Sequence, residues 1–81
     1  MIQIINKIKV HLKEHNNEIY VLVSDDLSLS TDLIEESIYD SMGFMELLAF
    51  LMDEFDKEIN FDNIDADQIT KISYLEKIFY E

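Results

Sequence analysis

The sequence has no cysteine, no proline and a single glycine among its 81 residues. Without cysteine there is no disulfide framework, no thiolate metal site and no thiol nucleophile, so packing alone must hold the fold, as is usual in the cytoplasm. Without proline, and with one glycine, little interrupts helices, and no Gly-, Ser- or Pro-rich linker divides the chain; one domain over residues 1–81 is expected. Arginine is missing too: the six basic residues are lysines, against 18 acids, for a formal net charge of −12. Such a chain repels phosphate backbones, which disfavours nucleic acid and favours protein partners with basic surfaces. No apolar run approaches the ~20 residues of a membrane span. Lys7, Lys9 and Lys13, set among the first apolar positions, do not make a signal peptide. A cytoplasmic monomer without membrane association is expected, too short for a recruited catalytic lobe.

What is present is unevenly distributed. Residues 1–13 hold three lysines and no acid, while the rest holds 18 acids and three lysines, so the two parts attract one another. Met1, Ile5, Ile8 and Leu12 recur at helical spacing with Ile2 beside them, predicting a first helix that ends near Asn16 and Asn17. Residues 18–39 read as a long structured loop: Ile19 to Val23 have strand propensity, but no second run pairs with them. The strongest pattern runs from Ser41 to about Asp56, where Phe44, Leu47, Leu48, Leu51 and Phe55 form one apolar face and make this helix the expected spine. A short turn or helix around Asp62 to Asp67 follows, and Ile72, Leu75, Ile78 and Phe79 mark a last helix. The expected fold is all-α: a small antiparallel bundle of three main helices plus one short helix, with the long loop between the first two.

Asp40 stands where an N-cap belongs, its carboxylate placed to accept from the free amides of Met42 or Gly43, which leaves Ser41 exposed as the first helical residue. Asp-Ser is a common helix start, but a hydroxyl beside the positive end of a helix dipole is also suited to carrying a phosphate. On the face the core does not need, Met42, Met45, Ala49 and Met52 lie together, flanked by Glu46 and Asp53. Exposed methionines adapt to many surfaces, and an apolar patch bracketed by acids fits basic, apolar-lined partners.

These residues carry a resemblance. Asp40-Ser41-Met42 opening a long acidic helix in the middle of a small acidic chain, with LIEESIYDSMGFMELLAFLMDEF from Leu33 to Phe55, is similar to the acyl carrier proteins and related phosphopantetheine-binding carriers. The likeness implies that Ser41 bears 4′-phosphopantetheine taken from coenzyme A, that Asp40 assists recognition by the phosphopantetheinyl transferase, and that Met42, Glu46, Asp53 and Glu54 face partner enzymes. Those partners would be acyl- or aminoacyl-loading and condensing enzymes with basic docking surfaces, and the protein a carrier rather than a catalyst. Gly43 and Met52 stand where fatty-acid carriers commonly have acids, and Ser37 where many carriers have glycine. The stretch from Leu33 also resembles D-alanyl carriers and free-standing aminoacyl or peptidyl carriers, so the cargo class stays open.

Two other patterns carry less. His11-Leu12-Lys13-Glu14-His15 fits H-x-x-E-H, but a zinc site needs a third ligand and a walled cleft, and two solvated histidines at a helix end are the simpler reading. Asp62, Asp65 and Asp67 lack the glycine and terminal glutamate of a calcium loop and read as a solvated acidic turn. Ser41 has no base assigned to it by any spacing and no G-x-S-x-G around it, so no hydrolase is expected. The competing reading from another class is a small acidic inhibitor or nucleic-acid mimic that covers a basic surface by charge alone.

Overall fold

Residues 3–80 are described by the computed structural model; Met1 and Ile2, which the periodicity places with the first helix, lie outside them. Helix α1 (Gln3–His15) buries Ile4, Ile5, Ile8 and Leu12, a stripe at the spacing that puts one face of a helix against a core. It stops at Asn16, whose backbone leaves the helical region at φ −157° and ψ 89° and whose side chain accepts the Ile19 amide at 3.2 Å. One residue thus ends α1 and caps the next helix.

That next helix, α2 (Asn17–Val23), corrects the expected loop: the chain has four α-helices among its described residues, and the short one directly follows the first. Ile19, Tyr20 and Val23 pack on the core at helical spacing, leaving Val21 and Leu22 exposed. Tertiary packing overrides the strand preference of these β-branched and aromatic residues because, among the described residues, no strand lies beside them to satisfy an extended backbone. A single 3₁₀ turn, Ser24–Asp26, continues it. The short turn or helix expected around Asp62 to Asp67 is a 3₁₀ turn, Phe61–Asn63, held by Asn60 accepting the Asp62 amide.

The segment before the central helix is ordered by its own side chains. Asp32 accepts the amides of Ile34 and Glu35 at 3.1 and 3.0 Å, and its own amide donates to Glu36 Oε2 at 3.3 Å. Ser37 then turns the chain at φ 62°, a left-handed conformation that glycine adopts at less cost, and the Ile38 amide closes back on the Leu33 carbonyl. The turn buries Leu33 and Ile38 in the core. It is also tied to the far end of the chain: an isolated antiparallel bridge joins Asp32 and Lys71, the Leu33 amide donates to Thr70, and the Thr31 and Leu29 carbonyls receive the amides of Ile72 and Ser73. Partial burial opposes ionisation of Asp32, but the Glu35 amide, the Thr70 hydroxyl, the Ile34 amide and the Lys71 charge together hold its carboxyl below the usual range.

Helix α3 (Ser41–Glu54) buries Phe44, Leu47, Leu48 and Leu51, with Phe55 half-buried as its C-cap. It is shorter than expected because Asp56 takes the left-handed conformation at φ 51°, with the Lys57 amide donating to Met52. Helix α4 (Ile72–Tyr80) buries Ile72, Leu75 and Phe79. Helices α2, α3 and α4 all pack on α1, which corrects the expectation that the Ser41 helix is the spine. Along the seam of α1 with α3, Lys7 meets Glu54, His11 meets Phe50 and His15 meets Glu46, so the two helices run antiparallel.

Candidate functional site

The start of α3 has the expected cap: Asp40 is extended at φ −87° and ψ 179°, and its Oδ1 accepts the Gly43 amide at 2.7 Å. An N-cap carboxylate satisfies one of the free amides and stabilises the helix by about 1 kcal/mol. Ser41, the first residue in the helix, is exposed. It sits on the rim of an open apolar cavity of about 420 Å³, walled by Phe44, Met45 and Leu48 of α3, Phe61 and Ile64 of the connection to α4, and Ile34. That volume falls within the roughly 300–1,000 Å³ of small-molecule pockets. The cavity brings together segments far apart in the chain, and nothing in the local pattern around Ser41 marks it.

The methionine face is largely as expected. Met42 is 76 % exposed and Met45 55 % exposed, and Glu46, Ala49 and Asp53 are exposed beside them. Met52 is half-buried against the core and, with Asp53, lines a second surface cavity formed with Lys57, Ile59 and Phe61. Glu54 is placed differently from what the resemblance implies: its Oε1 pairs with Lys7 Nζ at 2.7 Å, so it is directed to α1. This ion pair also realises the attraction between the basic first segment and the acidic remainder.

The two histidines are not simply solvated. His11 Nδ1 shares a hydrogen bond of 2.8 Å with the Tyr39 hydroxyl, and its ring lies 5.2 Å from that of Phe50. Burial pushes the His11 imidazole below its usual value, with His15 adding to that and Glu46 opposing it. Burial also raises the Tyr39 hydroxyl well above the ordinary tyrosine value. Among the described residues no three His, Asp or Glu side chains come together in a geometry that would hold a metal ion, and the H-x-x-E-H spacing forms a packing contact instead.

Comparison with protein-family models, with curated proteins and with solved structures gave no match. No helix of the described residues is long and apolar enough to cross a membrane.

Proposed function

We propose that the protein is a carrier: Ser41 holds 4′-phosphopantetheine, and the protein delivers an acyl or aminoacyl intermediate to a series of partner enzymes in the cytoplasm, itself a substrate of enzymes and not a catalyst. The four helices are then the bundle of the carriers that the sequence resembles. The observation that supports this most directly is the meeting, at one place, of an exposed serine at a capped helix start and the rim of an apolar cavity. The residues present fit the group: Ser41 is open to an approaching transferase, the amide end of α3 favours a phosphodiester, and the exposed Met42 and Met45 leave room beside it.

In the loading step Ser41 Oγ forms a bond to the phosphorus of coenzyme A next to the pantetheine, the bond to 3′,5′-adenosine bisphosphate breaks, and the hydroxyl proton passes to a base on the transferase. The attached group supplies a thiol that carries cargo as a thioester. Phe44, Leu48, Phe61 and Ile64 give an apolar cargo a place out of water, worth about 25 cal/mol per Å² of apolar surface covered. Glu46 and Asp53, with Met42, Met45 and Ala49 between them, give fast, salt-sensitive docking to cationic enzymes. D-alanyl or aminoacyl cargo fits the same serine and the same face.

The test is intact mass after incubation with coenzyme A, magnesium and a broad-specificity phosphopantetheinyl transferase. Wild type should gain one phosphopantetheine and Ser41→Ala none, with the variant's stability within about 0.5 kcal/mol of wild type because an exposed first-turn serine packs against little. Absence of any gain with several transferases would replace this reading by that of an acidic inhibitor or nucleic-acid mimic, for which the net charge of −12 speaks and Ser41→Ala is silent.

A further inference from the structure

His15 ends α1 and yet lies at the beginning of α3. A Cβ placed on Gly43 would come 2.7 Å from His15 Nε2 and 3.0 Å from Asp40 Oδ1. The imidazole therefore fills the space into which a side chain at position 43 would project. Its Nδ1 stands 3.6 Å from Glu46 Oε1, too far for a hydrogen bond but close enough for an ion pair once the ring is charged, and both side chains reach solvent. The groups that face the ring are His11 on its own helix, stacked at 5.7 Å, Tyr39 at 5.5 Å and Asp40 from the segment leading into α3, and Glu46 on α3 itself. Burial holds the His11 imidazole below and the Tyr39 hydroxyl above their ordinary values.

We propose that His15 is a specificity-determining residue of the Ser41 face: it occupies from α1 the place of the side chain that Gly43 lacks, and on protonation it closes on Glu46 and withdraws that carboxylate from a partner's cation. The partner is a protein that offers lysine or arginine to Glu46. Docking is then stronger with His15 neutral, and the effect falls on binding alone, since the ring does not touch the reacting atoms. The role in docking rests on the carrier reading; the placement of the ring between Gly43 and Glu46 does not.

Nuclear magnetic resonance of the unmodified protein tests the placement. The amides of Met42, Gly43 and Glu46 should follow one protonation between about pH 5 and 8, lost in His15→Gln and kept in His11→Gln. Amides that do not move, or that still move in His15→Gln, overturn the proposal whether or not Ser41 accepts any group. If His15→Gln loses its helical signal, Gly43→Ala reaches the same contact from the other side: its Cβ displaces the ring from Glu46, and the amide titration should shrink. For docking, the transferase KM for wild type relative to His15→Gln should rise about two- to fivefold between pH 8 and pH 6, the effect of one exposed ion pair, at a constant kcat ratio. A flat KM ratio overturns the docking role. A wild type that accepts no group while its amides titrate overturns the carrier reading and supports the assignment of His15.

Discussion

The seam between α1 and α3 has two ends built on the same four-residue spacing, Lys7, His11 and His15 on one helix against Glu54, Phe50 and Glu46 on the other. At the end far from Ser41, a lysine and a glutamate meet at 2.7 Å, residue types that are both ionised near neutral pH. At the Ser41 end, a histidine and a glutamate stand 3.6 Å apart, and the second histidine is turned inward to Tyr39. One end is a contact between two groups charged near neutral pH, and the other is an ion pair only when the imidazole is protonated. Because Gly43 carries no side chain, the His15 ring and Asp40 Oδ1 share the space beside it, so the adjustable part of the seam is also the part beside the candidate site.

The largest change should come from the middle of the seam, where both ends can be broken together. Leu47, on α3 between Glu46 and Phe50, is fully buried, and Leu47→Ala should cost about 3 kcal/mol in chemical denaturation, from lost burial and the cavity left behind. Hydrogen exchange should show the Lys7 and His15 ends loosening in parallel; loosening of one end alone would mean that they are not one seam. A smaller and pH-dependent effect is expected of His11→Gln, which removes the ring bonded to Tyr39 at a cost of about 1 kcal/mol. Since His11 is held below its ordinary value of 6.5, the unfolded chain takes that proton more readily than the folded one. The stability owed to this ring is therefore present above pH 6.5 and lost as the pH falls below it. Melting curves of wild type and His11→Gln should converge on acidification, and a constant gap would contradict the assignment. The smallest effect belongs to the exposed ion pair: Lys7→Met should change stability by less than about 0.5 kcal/mol, independent of pH between about 5 and 8 and vanishing at high salt.

The same contrast shows what the sequence makes legible. The start of α3 is readable because a cap is local: Asp40, the free amides and the apolar stripe from Phe44 to Leu51 all lie within four turns of chain. Helix α2 is not, since seven residues rich in Ile and Val span too short a window to separate a helical period from a strand, and the choice is made by Ile19, Tyr20 and Val23 meeting the core. The cavity beside Ser41 needs Phe61 and Ile64 from beyond the end of α3, and no periodicity reports a contact of that kind. The clue to the His15 contact is the single glycine of the chain, placed inside a helix although its intrinsic helix propensity is about 1 kcal/mol poorer than that of alanine. An unfavourable residue held in a regular element signals a close neighbour, but only the fold identifies it as the imidazole from α1.

The hydrogen bonds from Ile72 and Ser73 to Thr31 and Leu29 set an order of events during synthesis. A ribosome delivers Leu29 and Thr31 long before the first turn of α4, so these carbonyls, and the underside of the Asp32 to Ser37 turn, wait in water until that helix emerges. Before then α1 and α3 can meet, but Leu33 has no Thr70 carbonyl to hold it at the core, and the wall that Phe61 and Ile64 contribute beside Ser41 is missing. On the carrier reading, a transferase that reads both the serine and that wall would thus find its target only after the segment from Phe61 to α4 has joined the fold.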